Sequence, residues 1–389
     1  MSSDPEAEIL DEVASDADKG AVKRELNRVE GFLRELSLND LRQGDWFAKL
    51  LTFSLGKYVR EVDAAYFTAK YPGLPADAVV QARIQMAARY AGVEGGLSAG
   101  AYTGAVVATI GSGGGASPLT LPAAGASFAV DLVYTSQLQL RLAYDIAVLY
   151  RVPLDLDDPE DLWKLIRVAF AIRGSEAGQV AMAKGVPVLV RPLVKKVFTG
   201  GTLTAAKSLP VVGKYLLQRN VIKFSIPLIG IPLSVAVNYW STRMIGTQAT
   251  KIFRDEASIV EAARRMTART EHHEALLWVL WLIIKADGPV HENERLLLHH
   301  VTTILADLDS ELPALEDLRS TVDLDHDRVW RLVTAAPGDR KALYDAGVVA
   351  AAVDGKIDDR ELVELQKLAV HCGTTFDTAA IKRAAKRKS

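Results

Sequence analysis

Apolar residues recur at intervals of three and four along most of the chain, the spacing that lines one face of an α-helix. The pattern predicts amphipathic helices over Val22–Leu36, Trp46–Tyr66 and Ala76–Tyr90. Tyr71-Pro72-Gly73 separates the last two, because proline cannot continue a helix and glycine favours the turn. A longer helix is predicted over Ala123–Tyr150, apolar at its start and amphipathic later, ending before Arg151-Val152-Pro153. Helix restarts at LDLDDPEDLWKLI, where Asp158 is a good N-cap and Pro159 suits the first helical position. Glu160 and Asp161 suit the dipole of that first turn. No alternating run bounded by hairpin turns is present, and the β-branched stretch Val186–Val194 contains Pro187 and Pro192, which demote it as a strand. The predicted fold class is all-α.

Two segments break the amphipathic pattern by lacking any charge: Gly95–Val130 and Phe224–Thr242. The second approaches the length of a membrane span, but Pro227 and Pro232 are expected to break its helical ladder. Partial insertion, or burial inside a helical domain, fits it better than a spanning helix. The first contains TIGSGGGASPLTLP (Thr109–Pro122), in which Gly111, Gly113 and Ala116 fit G-x-G-x-x-A, with Asp131 twenty residues beyond Gly111. A dinucleotide site needs a buried strand before the glycines and a helix opening on them. The upstream LSAGAYTGAVVATI is not a clear strand, and Pro122 would interrupt the second turn of a helix begun at Pro118. Gly111, Gly113, Gly114 and Gly115 therefore read as residues of close backbone packing, or of a flexible apolar segment that meets lipid.

Charge is partitioned. Residues 1–18 carry seven acids and no Lys or Arg, which predicts a solvated acidic tail over residues 1–20 and argues against a secretory signal. Between Lys164 and Lys223 lie eleven basic residues and one acid, Glu176. Between Ala286 and Leu365 lie eighteen acids and eight bases, so the net charge of -2 hides two oppositely charged parts. The shift predicts a helical domain over 21–265 and an acidic one over 266–389. The basic residues are interleaved with apolar ones, and the block runs into the second uncharged segment. Lys184, Arg191, Lys195, Lys196, Lys207, Lys214, Arg219 and Lys223 are thus candidates to face an anionic bilayer, at about 1 kcal/mol each near the surface. Only Phe170, Phe198 and Tyr215 offer stacking within the block, which argues against nucleic acid.

The acidic part contains a repeat. ADGPVHENE (Ala286–Glu294) and VDGKIDDRE (Val353–Glu361) share an Asp-Gly turn and a closing Glu, offset by 67 residues, and the flanking apolar positions keep the register. Each unit reads as helix, turn, helix. Gly288 and Gly355 suit the left-handed conformation that ends a helix, and Asp358 with Glu361 forms a capping box. A metal would instead use Asp287 and Glu294, or Asp354, Asp358 and Glu361, but the spacing is not that of an EF-hand. Neighbouring His272-His273 and His299-His300 point to different helix faces and read as exposed structural residues. The single cysteine, Cys372, excludes an internal disulfide and lies on the apolar stripe Leu365–Leu368–Cys372. No catalytic constellation and no cofactor motif survives, so no enzyme is expected.

Residues 80–255 resemble the EcsC family through GLSAGAYTGAVVATIGSGGGASPLTLP, DLVYTSQLQLRLAYDIAVLYRVPLDLDDPEDL and IPLIGIPLSVAVNYWSTRMIGTQATKIF. The family's tyrosine-glycine before the acidic run is Tyr150-Arg151 here. Residues 266–389 resemble a TerB-like module of the tellurite-resistance group through the two Asp-Gly turns. The resemblances imply a bacterial protein linked to membrane processes and stress response, with no catalytic residues to carry over. The expectation is a cytoplasmic protein held peripherally at the inner face of the plasma membrane. Its acidic C-terminal domain would be an adaptor or sensor for a protein partner. The alternative is a soluble stress-response scaffold with a divalent ion at the Asp-Gly turns.

Overall fold

The computed structural model describes residues 15–111, 117–171, 231–286, 288, 290–309, 312–320 and 325–386. Among them the fold is all-α, with no strand, and they divide into two compact units that part between Phe253 and Arg254.

The first unit holds α1 (Asp16–Glu35), α2 (Leu38–Gln43), α3 (Trp46–Leu55), α4 (Tyr58–Glu61), α5 (Ala64–Lys70), α6 (Ala76–Gly111), α7 (Ser117–Leu149), α8 (Pro159–Ala169) and the start of α9 (Ile231–Arg269). Helix begins at Asp16, inside the stretch assigned to the acidic tail, because a capping box forms there. Ser15 Oγ accepts from the Asp18 N–H at 3.2 Å, and the Asp18 carboxylate accepts from the Ser15 N–H at 3.1 Å. The single helix expected over Trp46–Tyr66 is three short ones. Asp63 starts a new helix within it, its Oδ1 accepting the Tyr66 N–H at 2.7 Å. Asp158 caps α8 as predicted, accepting from the Glu160 N–H at 2.7 Å.

The prolines do not stop the uncharged helices. Pro118 and Pro232 are second residues of α7 and α9, where the N–H has no intrahelical partner in any case. Pro122 removes one hydrogen bond, and α7 continues through it. Likewise α6 does not stop at Tyr90 but runs to Gly111, the glycines included.

Helices α6 and α7 form an antiparallel hairpin whose register is written in its side-chain pairs. Tyr150 Oη donates to Asp77 Oδ1 at 2.7 Å, and Arg83 Nε donates to Asp145 Oδ2 at 2.8 Å. From the first pair to the second the chain advances six residues along α6 and retreats five from Tyr150 into α7, as antiparallel helices require. Asp145 is fully buried and Arg83 nearly so, and Arg83 Nη2 also reaches the carboxylate. Tyr58 Oη donates to the other Asp145 oxygen at 2.8 Å and accepts from Arg83 Nη2 at 3.1 Å. Burial pushes the Asp145 carboxyl above its ordinary range, and Arg83 and Tyr58 oppose that shift. Removing either charged member, Arg83 or Asp145, would strand a buried charge, at about 3–5 kcal/mol. Helix α9 packs on the hairpin closely enough that a Cβ at Gly246 would lie 2.7 Å from Ile84 Cγ1.

The second unit holds the rest of α9, α10 (His273–Lys285), α11 (Glu292–Leu308), α12 (Pro313–Ser320), α13 (His326–Ala335), α14 (Lys341–Ala352), α15 (Asp359–Cys372) and α16 (Thr378–Lys386). Every residue of α10 from Ala275 to Ile284 is buried, which makes it the central helix of this core. Ile259, Ala262, Ala263 and Met266 of α9 join the same core. That is why the units part at 253 rather than at the boundary of 265 drawn from charge. Both repeats have the predicted helix–turn–helix form, and Gly288 and Gly355 take φ of +99° and +83°.

Arg151, where the EcsC resemblance leads one to expect glycine, is exposed and has φ +57°. A side chain in that region costs about 1–2 kcal/mol, part of which glycine returns as unfolded-state entropy. Arg151→Gly should therefore raise stability by about 0.5–1 kcal/mol in urea unfolding; a loss of stability would contradict the assigned backbone.

Candidate functional site

The α6–α7 register carries a consequence at the edges of the uncharged segment. Its last charged neighbours are Glu94 before Gly95 and Asp131 after Val130. Asn238 of α9 meets both, which puts the two carboxylates at about one level of the hairpin. Asn238 Nδ2 donates to Asp131 Oδ1 at 2.9 Å and approaches Glu94 Oε2 at 3.4 Å. Glu94 and Asp131 are both buried. With Asn238 beside Glu94 and Gly246 beside Ile84, α9 runs antiparallel to α6. The uncharged start of α9 therefore lies at the same end as the uncharged parts of α6 and α7.

Below this polar collar each helix carries charges; beyond it residues 95–111 and 117–130 continue as helix with none. At 1.5 Å per residue these arms extend about 25 and 20 Å. Around the collar α9 shows an apolar stripe at helical spacing: Val237, Trp240 and Met244, with Trp240 71 % exposed. Arg243 is exposed beside it, and Tyr239 is half-buried. Indole and phenol rings with a cation at such a level form the amphipathic belt that suits a membrane–water interface.

Asp131 was the acid that completed the dinucleotide pattern. Its carboxylate is instead hydrogen-bonded within the helical bundle, and α6, which leads into Gly111, is a helix where the motif requires a strand. Gly111 is the last residue of α6, Pro118 and Pro122 lie in α7, and Pro232 in α9. Gly113, Gly114, Gly115, Pro227 and the candidates Lys184, Arg191, Lys195, Lys196, Lys207, Lys214, Arg219 and Lys223 lie outside the described residues, as does Asp287.

In the second unit the remaining carboxylates close turns. Glu294 accepts from the His291 N–H at 2.7 Å, and Glu361 accepts from the Asp358 N–H at the same distance. Asp358 accepts from the Arg360 N–H at 2.9 Å, and Asp354 from the Lys356 N–H at 2.8 Å. The two turns are neighbours: His291 Nε2 lies 3.9 Å from Asp354 Oδ2, and Asn293 Nδ2 donates to the Val353 carbonyl at 3.3 Å. Among the described residues no three His, Cys, Asp or Glu side chains are grouped as a metal would require. His300 is not exposed, as expected from sequence, but buried with Nε2 3.1 Å from Glu256. His272 Nε2 lies 2.8 Å from the Pro337 carbonyl. Burial pushes the Cys372 thiol up to about 11, the reverse of what a nucleophile needs.

No family model matches the chain, and no curated protein or solved structure matches it.

The collar was missed in sequence because its members are 37 and 107 residues apart. The available signal was that the uncharged run is bounded by acids on both sides. For the turns, the geometry makes a direct prediction. Glu361→Ala should cost the second unit about 1–2 kcal/mol, Glu361→Gln much less, and added Ca²⁺ should change neither loss. A Ca²⁺-dependent stabilisation of the wild type that Glu361→Ala abolishes would favour ligation over capping.

Proposed function

We propose that the protein is a non-enzymatic peripheral membrane or lipid-binding protein, whose first unit enters one leaflet by its uncharged end. The observation that carries this reading is the collar: Glu94, Asp131 and Asn238 meet at one level, and beyond it α6, α7 and the start of α9 carry no charge. A hydrocarbon core is about 30 Å thick, so arms of about 20–25 Å suit entry without crossing. Among the described residues no helix is long and apolar enough to cross a membrane. The exposed Val237–Trp240–Met244 stripe and Arg243 suit the interface. The basic stretch 164–223 supplies attraction to anionic headgroups, and the acidic second unit, repelled by them, serves as the adaptor face for a protein partner.

The EcsC and TerB-like resemblances agree with this reading, which puts the protein at the inner face of a bacterial plasma membrane. The alternative of a soluble stress-response scaffold holding a divalent ion has less support. The described carboxylates at its turns already accept backbone N–H groups.

Sedimentation with liposomes tests the proposal. Binding to phosphatidylglycerol-containing vesicles should exceed binding to phosphatidylcholine vesicles by about tenfold or more at low salt, with the difference shrinking as salt rises. Trp240→Asp should weaken binding to both by about tenfold or more. Failure to sediment with either vesicle, or an unaltered Trp240→Asp variant, would contradict it.

A further inference from the structure

The first unit contains a cavity of about 280 Å³ between α1, α6 and α7, lined on its solvent side by Arg24 and Arg28 and more deeply by Arg83 and Arg141. Its volume lies just below the range of about 300–1,000 Å³ usual for drug-sized ligands, so it suits a smaller molecule. Four guanidinium groups face two carboxylates, Glu25 and Asp145, so the lining carries a surplus of two positive charges. The inner groups are already committed. Asp145 is held by Arg83 and Tyr58, and Arg141 donates to Glu25 at 2.9 Å and to the Ser54 carbonyl at 2.9 Å. Arg28 pairs with Glu25 at 3.1 Å, whereas Arg24 makes no ion pair or hydrogen bond among the described residues. The uncompensated charge therefore lies at the mouth.

A second feature points to the same ligand. Gln137 lines the cavity and is 1 % exposed. Its Nε2 donates to Glu25 Oε1 at 2.6 Å, and since a carboxylate only accepts, the amide orientation is fixed. That leaves Oε1 buried with no hydrogen-bond partner. A buried acceptor without a donor costs about 1–3 kcal/mol, so a ligand hydroxyl brought to it by a small shift of the Gln137 side chain would be favoured. The apolar part of the wall, Leu138 and Leu142, suits a short carbon skeleton.

We propose that this cavity binds a small phosphate ester bearing a hydroxyl group. The phosphate is drawn by Arg24 and Arg28, whose fork geometry matches its oxygens, and the hydroxyl donates to Gln137 Oε1. Glycerol phosphate has this chemistry, either as a free ester or as the headgroup of an anionic phospholipid. Tyr90 and Tyr134 of the lining lie about one turn of helix from the Glu94–Asp131 collar, close to the level proposed for a headgroup. The assignment itself stands on the cavity and does not rest on membrane insertion.

Calorimetric titration of the full chain with sn-glycerol 3-phosphate, inorganic phosphate and glycerol tests it. The ester should bind saturably at one site and glycerol not at all. Arg24→Gln, a change at an exposed residue, should weaken the ester about tenfold or more. Gln137→Leu should weaken the ester several-fold while leaving inorganic phosphate unchanged, a selectivity that mere loss of structure would not produce. No saturable binding of the ester, an unaltered Arg24→Gln variant, or equal binding of ester and inorganic phosphate would each overturn the proposal. Adding phosphatidylglycerol vesicles to the ester-bound protein identifies the source: displacement of the ester assigns the headgroup, and its retention assigns the free ester.

Discussion

The buried pairing of Arg83 with Asp145, closed by Tyr58, is the constraint from which the geometry of the first unit follows. A buried guanidinium fork and carboxylate tolerate little displacement, and a one-turn slip of α6 on α7 would leave the two apart and unpaired. The pair therefore fixes the hairpin register. That register brings Glu94 near Asp131, Asn238 joins the two, and the described residues 95–111 and 117–130 continue beyond that level. Asn238 ties α9 to the same level, so a third uncharged stretch is added at the same end. A segregation of charge along the sequence thus becomes a segregation of charge along the axis of a helical unit.

The same arrangement accounts for the position of the arginine-lined cavity. Arg83 and Arg141, both largely buried, would be costly there without Asp145 and Glu25, and α1 brings Glu25 to them together with Arg24 and Arg28. Two charges remain after those pairings, and they lie where solvent or a ligand reaches them. The second unit is organised differently. Its centre is a helix apolar on all sides, α10, and its two turns place a glutamate to close the first turn of the following helix.

Much of this was legible in the sequence. The all-α class followed from the apolar spacing, the repeat of turns from two nine-residue stretches in register, and the α8 start from Asp158-Pro159-Glu160. The readings that failed were local rules overruled by packing. The helix expected over Ala76–Tyr90 runs on to Gly111, and Pro122, expected to interrupt a helix begun at Pro118, lies within α7. The reverse happened at Asp63, where a local cap divided what periodicity joined. Arg83, Asp145 and the collar were not legible, since no local pattern marks partners 62 or 107 residues apart. His300 was misread for the same reason: its partner Glu256 lies 44 residues away.

The central claim is that the uncharged end of the hairpin faces lipid rather than protein. It is tested most directly by a nitroxide at position 106 of α6, introduced as Val106→Cys in a chain carrying Cys372→Ser. Position 106 lies about 18 Å beyond Glu94 along the helix. Addition of anionic vesicles should raise the label's accessibility to oxygen and lower its accessibility to an aqueous nickel chelate. A label whose accessibilities do not change on adding vesicles would contradict the account.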